Sequence, residues 1–329
     1  MPPMVCFGWS GTDGLVKSKH IEHYRKRAQG GAGLIISEAL CVSAGGRLAD
    51  TQLGLWSDEH IKGLSEIVEA CHRYGAVVLS QIHHAGIKTT KKTSDRIIGP
   101  SGYIDKTRKA EGASLQDIEI ITEDFLKAAI RAFKAGFNGV ELHGAHGYLL
   151  SQFASPATNT REDKYGGTIE NRMRLAVELI SVIRKELGSD FIIGYRMGGN
   201  EPDLAAGIRI SRILENAGVD LLHVSNGWAS AEDDQMPAGF MYSPTVYNGA
   251  SIKKEVSLPV IVVNGIRTGE QAAHLVESGM CDFVAVGRGM LADPEWANKV
   301  LTGVPVIPCR ECSRCKWFHN GKNCPASIN

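Results

Sequence analysis

Three side chains suited to a carbonyl oxygen and a proton crowd one short stretch, Glu141-Leu-His143-Gly-Ala-His146-Gly-Tyr148. The imidazoles of His143 and His146 can each donate a hydrogen bond to a single oxygen, and the Tyr148 phenol can supply a proton. That set suits a reaction in which negative charge builds on oxygen and a neighbouring atom is protonated. His-x-x-His is also a zinc spacing, but such pairs usually sit on a helix with a third ligand close by. The plain alternative is one satisfied structural His and a packed Tyr. The clustering of all three at the end of a strand-like run weighs against it. Two glycine turns, Asn264-Gly265-Ile266 and Gly287-Arg288-Gly289, follow later strand-like runs. Glycine lets a backbone approach a phosphate closely and Arg288 can add a bidentate contact, although glycines that merely end strands look the same. Lastly, Cys309, Cys312, Cys315 and Cys324 crowd the C-terminal end, whereas Cys6, Cys41, Cys71 and Cys281 are scattered as inert core thiols usually are. Four thiolates are the ligand count of an iron–sulfur cluster and equally of an all-cysteine zinc site.

The elements that must position these groups alternate along the chain. Short β-branched runs occur at Leu34–Ser37, Ala76–Gln81, Gly139–Leu142, Phe191–Tyr195, Asp220–Val224, Val260–Val263 and Phe283–Val286, with an eighth expected near Met1–Cys6. Helical periodicity fills the spaces at 18–29, 58–73, 122–135, 168–187, 207–216, 249–256, 268–278 and 293–301. The alternation predicts an α/β fold, a (β/α)8 TIM barrel over 1–303 with a short Cys-rich segment over 304–329. A doubly wound sheet is the rival, but its glycine fingerprint is missing: Gly31-Ala-Gly33 precedes a strand, and Ile36 stands where the third glycine belongs. In a barrel the chemistry sits at the C-terminal ends of the strands. The His143–Tyr148 stretch and both glycine turns fall there, and so do two long loops, 84–120 and 143–167.

Composition narrows the partners. The 329 residues carry 36 Lys+Arg against 36 Asp+Glu, which argues against nucleic acid or an anionic membrane as a partner and leaves homo-oligomers open. With no apolar run long enough to span a bilayer and no signal-peptide pattern, a cytoplasmic location is expected.

Over nearly its whole length the sequence resembles the old yellow enzyme group of FMN-dependent oxidoreductases. The resemblance rests on Pro3-Met4, Gln81-Ile-His-His84-Ala-Gly86, the His143–Tyr148 stretch, Arg161-Glu-Asp-Lys-Tyr165 through Asn171-Arg172, Arg196, Asn264-Gly265 and Gly287-Arg288. It implies that Gln81 meets the flavin pyrimidine edge and that Arg196 lies near flavin N1, favouring the anionic reduced ring. It further implies that Pro3, Met4 and Ala39 line the ring, and that Asn264, Gly265, Gly287 and Arg288 hold the phosphate end. His143 and His146 would bind a substrate carbonyl while hydride passes from reduced flavin to the β-carbon, and Tyr148 would protonate the α-carbon. The Arg161–Arg172 run reads as scaffold, with Thr168 capping the next helix. His83 reads as barrel wall, and His84 as the histidine facing the cleft.

The tail departs from the minimal family. It resembles the iron–sulfur segment of larger relatives, trimethylamine dehydrogenase and 2,4-dienoyl-CoA reductase, which implies a [4Fe–4S] cluster on Cys309, Cys312, Cys315 and Cys324. Zinc is the alternative, and the gap before Cys324 is shorter than in those relatives. The chain has no recognisable NAD(P)H domain, so the reductant is either NAD(P)H docking over the flavin or an external electron carrier or redox partner protein. The leading expectation is an ene-reductase acting on α,β-unsaturated carbonyl compounds. An amine or N-methyl dehydrogenase, using Trp9, Trp228 or Phe240 to hold a cation, and a non-catalytic electron-transfer subunit are the other two. Substrate choice would lie in loops 84–120 and 228–248.

Overall fold

Parallel strands at the expected places set the architecture. The computed structural model describes residues 1–228, 236–318, 324 and 326, so part of the 228–248 loop and part of the 304–329 segment lie outside the described residues. The strands are β1 (Leu34–Ile36), β2 (Leu40–Cys41), β3 (Val77–His83), β4 (Ile98–Gly99), β5 (Tyr103–Ile104), β6 (Lys109–Gly112), β7 (Gly139–Gly144), β8 (Ile192–Gly198), β9 (Leu221–Ser225), β10 (Val260–Val263) and β11 (Phe283–Ala285). The helices are α1 (Ser18–Gln29), α2 (Glu59–His72), α3 (Leu115–Lys134), α4 (Leu149–Ala154), α5 (Ile169–Leu187), α6 (Leu204–Asn216), α7 (Pro244–Lys253), α8 (Gly269–Glu277), α9 (Arg288–Ala292) and α10 (Trp296–Thr302). The main sheet runs β1-β3-β7-β8-β9-β10-β11, parallel throughout, with β2 also paired to β3. This is the (β/α)8 barrel of the sequence reading.

The eighth strand differs from expectation. Met1–Cys6 forms no strand, yet the segment lies in the eighth stave's place. The Met1 carbonyl accepts the Ile36 N–H at 3.0 Å on one side, and Pro2 and Met4 abut Gly287, just past β11, on the other. Pro2 and Pro3 have no N–H to donate, so a ladder cannot propagate through them. Three helices, α3, α6 and α7, begin earlier than their hydrophobic period suggests, because capping residues extend them; Asp203 caps α6. Ser114 and Asp117 form a capping box that starts α3, and Ser243 accepts the Val246 N–H ahead of Pro244 in α7. Within the long 84–120 loop, β4, β6 and β5 make a small separate sheet.

Alternation along each strand divides the core. Ile36, Leu79, Leu221, Ile261 and Ala285 form a small apolar cluster inside the barrel, and a much larger one lies between sheet and helices. Two residues further along β3, β7, β8 and β9 the inward positions turn polar, as Gln81, Glu141, Arg196 and His223, all buried. Polar groups are costly inside a core unless paired, so this layer is where a site is expected. Among the described residues, no helix is long and apolar enough to cross a membrane.

Candidate active site

Strand β7 runs straight into the expected chemistry. His143 lies on the strand beside Arg196 of β8, and the chain then turns sharply at His146 and Gly147, both with positive φ (58° and 64°). A histidine tolerates that region better than most residues, but still at some cost. The turn is held by the His146 N–H donating to the Asn226 carbonyl at 2.8 Å. It gathers three rings: His143 and Tyr148 with centroids 4.9 Å apart, His143 and His146 at 5.1 Å, His146 and Tyr148 at 6.5 Å. His146 Nε2 is 2.7 Å from Ser225 Oγ, which also accepts from Arg196 Nη2 at 3.4 Å. His143 Nδ1 accepts the Ala145 N–H at 3.4 Å, so the neutral ring carries its proton on Nε2 as a donor.

The electrostatics keep these groups in useful states. Burial pushes the His143 and His146 imidazoles well below their ordinary value, and the nearby Arg196 cation adds to the effect. Both are neutral hydrogen-bond donors at neutral pH. Burial raises Tyr148, partly opposed by Arg196, so the phenol stays protonated. Two neutral donors and one held proton can stabilise an oxygen that gains charge and protonate an adjacent carbon.

Beside these rings opens a cleft of about 640 Å³. It is lined by Pro3, Met4, His146, Arg196, Asn264, Gly265, Gly287 and Arg288, which brings most of the expected cofactor residues to one surface with one expected catalytic residue. A Cβ on Gly287 would come within 3.0 Å of Met4 Sδ. Gly265 has φ +79°, and the preceding Asn264 has φ 93°, so this turn presents a backbone that few side chains would permit. Ala39 and Gln81 are buried outside the cleft lining, Ala39 with its carbonyl taken by Gln52 Nε2 at 2.8 Å. Arg196 is a buried cation in the wall whose Nε has no hydrogen-bond partner among the described residues. An orphaned guanidinium edge, a glycine-built turn and a cleft of this volume fit a flavin mononucleotide.

Several neighbours are given no part in the chemistry by the motifs. Lys88 donates from Nζ to the His146 carbonyl and lies 5.4 Å from the Tyr148 ring and 5.6 Å from that of Trp228. Glu141 and His223 sit beneath, joined at 2.8 Å. His83, not His84, packs on the site, 5.0 Å from Tyr148 and 6.0 Å from His143. His84 instead lines a separate cavity of about 260 Å³ with Thr89 and Asp124. The Arg161–Arg172 run behaves as scaffold: Arg161 pairs with Asp163, Thr168 caps α5, and Arg172 Nε donates to the Ala154 carbonyl at 2.7 Å.

The tail returns across the same cleft. Val306, Ile307, Pro308, Cys309, Glu311 and Phe318 line it. Glu311 pairs with Arg267 at 2.6 Å, the Ile307 N–H donates to Asp293 at 2.8 Å, and Trp317 Nε1 donates to the Val5 carbonyl at 3.0 Å. Cys309, Cys312, Cys315 and Cys324 are half-buried. Among the described residues no three His, Cys, Asp or Glu side chains come together as a metal site. As placed, the thiols do not fit a cluster or a zinc ion.

A polar-topped parallel barrel whose cleft is walled by Arg196, His146 and two glycine turns defines a TIM-barrel enzyme of flavin type. The chain belongs to the NADH:flavin oxidoreductase / NADH oxidase family, the old yellow enzyme group of FMN oxidoreductases, which it matches over residues 1–306. It is 42% identical over 328 residues to an NADH oxidase of Thermoanaerobacter brockii, covering 96% of this chain and 50% of that one. It is 37% identical over 305 residues to an NADPH dehydrogenase of Halalkalibacterium halodurans, covering 91% and 88%. Among solved structures, 2-naphthoyl-CoA reductase in complex with 2-naphthoyl-CoA superposes with TM-score 0.88 at 25% identity, over 98% of this chain and 52% of that chain. An old yellow enzyme homologue from Zymomonas mobilis superposes with TM-score 0.81 at 26% identity, over 94% and 90%. The chain thus spans about half the length of the Thermoanaerobacter NADH oxidase and of the naphthoyl-CoA reductase.

Proposed function

We propose that this protein is an FMN-dependent ene-reductase that saturates the C=C bond of α,β-unsaturated carbonyl compounds at the expense of NAD(P)H. The observation that carries the reading is the ring cluster of His143, His146 and Tyr148 beside the cleft wall that Arg196 shares with His146. Bound FMN supplies the two-electron hydride chemistry. Arg196, Gln81, Pro3, Met4 and Ala39 would hold its ring, and Asn264, Gly265, Gly287 and Arg288 its phosphate end. His143 Nε2–H and a His146 donor bind the substrate oxygen, which orients the alkene and stabilises the charge arriving on that oxygen. Tyr148 holds a proton for the α-carbon. Several relatives are NADPH dehydrogenases by name, which supports NAD(P)H as reductant, and the ligand of the naphthoyl-CoA reductase complex is itself a conjugated carbonyl compound.

The amine-dehydrogenase reading needs an aromatic face free to hold a cation. The candidates are engaged: Lys88 lies over Trp228, Lys19 over Trp9, and Phe240 packs on Tyr242 and Tyr247. The iron–sulfur or zinc reading of the tail rests on cysteine count, spacing and the resemblance to larger relatives, and the described thiols form no metal group, so the reaction is assigned no step through it, and iron and zinc analysis of anaerobically purified protein decides it. The functional test is turnover of FMN-loaded protein with NADPH and either 2-cyclohexen-1-one or trimethylamine and an artificial acceptor. Saturated ketone without amine oxidation is expected; amine oxidation without ketone reduction would overturn the assignment.

A further inference from the structure

Against the ring cluster lies a buried imidazole that the reaction outlined above does not use, and its neighbours fix where its proton sits. His83 is 1% exposed. It follows Ile82, which pairs with Leu142 in the β3–β7 ladder, so it stands beside His143 at the C-terminal end of the strands. Gln52 reaches it from the loop after β2. The Gln52 amide is pinned at both ends: its Oε1 accepts the Leu48 N–H at 2.9 Å, and its Nε2 donates to the Ala39 carbonyl at 2.8 Å. The same Nε2 meets His83 Nε2. An amide nitrogen only donates, so His83 Nε2 must accept, and the ring carries its proton on Nδ1. Burial holds this imidazole down to about 3, with His84 adding to the effect, so the ring is neutral.

That Nδ1–H is buried and has no hydrogen-bond partner among the described residues. A donor left bare in a core is costly, and this one is kept among the reacting groups. The His83 ring lies 5.0 Å from that of Tyr148, edge to face at 77°, and 6.0 Å from that of His143. The other groups facing Tyr148 are the neutral His143 and His146 rings and two cations, Lys88 at 5.4 Å and Arg196. When the phenol gives its proton to a carbon, the new C–H bond uses the substrate's electron pair. The O–H pair stays on the phenol oxygen as negative charge. In a buried site that charge is costly unless a donor answers it.

We infer that His83 is a positioning residue for Tyr148: locked by Gln52 as the Nδ1–H tautomer, it braces the phenol ring and keeps beside it one unspent donor that stabilises the phenolate. The inference rests on the proposed role of Tyr148 as proton donor. Its expected signature is the acidity of one phenol rather than mere loss of stability.

The test titrates the phenol itself. The FMN-loaded full chain is labelled with difluorotyrosine, which titrates nearer neutrality than tyrosine, and followed by fluorine NMR against pH, with Tyr148→Phe marking the resonance. His83→Phe keeps a flat ring but no N–H, and it should leave Tyr148 about tenfold weaker as an acid, the size of one lost hydrogen bond to a charged group. His83→Asn loses the ring but can put an amide N–H where Nδ1 stands, and it should recover most of that shift. Gln52→Leu, which frees the tautomer, should weaken the phenol in the same direction, and it serves if His83→Phe does not fold. An unmoved phenol in these variants, or an Asn variant shifted as far as the Phe variant, overturns the positioning role. Equal single-turnover rates for wild type and Tyr148→Phe would instead remove the proton-donor reading on which it rests, a distinct result.

Discussion

The loop after β7 and the cysteine tail both place chemistry-bearing residues a few positions apart, and they fold with different outcomes. After β7, the sheet ladder fixes His143 against Arg196, and one strained turn folds His146 and Tyr148 back onto it, so that rings separated in sequence end 4.9 to 6.5 Å apart. Among its described residues the tail has only the short 3-10 turn Lys316–Phe318. Its hydrogen bonds and ion pair to the barrel run through Ile307, Glu311 and Trp317, while Cys315 and Cys324 pack against the main core. Spacing becomes convergence where a backbone ladder holds the spacing. In a segment without one, the anchors are whichever side chains find partners on the barrel.

The sharpest way to break this comparison is to remove one donor from the β7 cluster. His143→Ala should lower ketone reduction by about 10²–10³-fold, as expected for one oxyanion donor, while NADPH still bleaches the flavin. Separate stopped-flow measurement of the two half-reactions checks this, and equal loss in both would mean that His143 serves the fold or the flavin instead.

Removing a tail anchor should affect binding and stability more than chemistry. Trp317 is buried and packs on Trp9 at 5.5 Å and His23 at 5.1 Å. Trp317→Ala should cost up to about 3–5 kcal/mol of tail attachment. The expected result is faster proteolysis after α10 and weaker FMN retention, because residues 306–311 form one wall of the cleft. Limited proteolysis with and without FMN reads both effects.

A smaller effect is expected from pH. In the proposed reaction Tyr148 works protonated, and burial raises it, so its limb should lie above the ordinary value of 10.0. His143 and His146 work neutral and are held below 6.5. Ketone reduction by pre-reduced enzyme should therefore be flat between those values and fall at higher pH. An inflection near 6.5 would mean that a histidine titrates in solvent.

The smallest effect belongs to the thiols. Replacing Cys312 and Cys315, which do not line the cleft, together by Ser should change NADPH-driven ketone reduction by less than about twofold, since half-buried groups away from the reacting atoms contribute little. A large loss would restore a metal to the account.

Much of this was legible in the residue pattern. Strand and helix periods place seven barrel strands, and the motif residues around the cleft follow from strand ends. The eighth strand fails because the apolar composition of Met1–Cys6 hides the weight of two prolines that prevent a ladder. His83 and His84 exchange their expected places, although a signal exists: Gln81 and His83 share a strand face, so an inward Gln81 carries His83 with it. Glu141 bears the same signal, two residues before His143 on one strand. His223 and Lys88 have none, because their roles depend on which strands and loops become neighbours, and that is decided by the closed barrel rather than by any local spacing.

The most direct test of the central claim is a single turnover. FMN-loaded wild-type protein and Tyr148→Phe are each reduced anaerobically with one equivalent of dithionite and mixed with 2-cyclohexen-1-one. The account predicts one saturated ketone per flavin from wild type with return of the oxidised flavin spectrum, and a rate slower by about 10²-fold or more in the variant. Wild-type flavin that stays reduced, or equal rates in the two proteins, would contradict it.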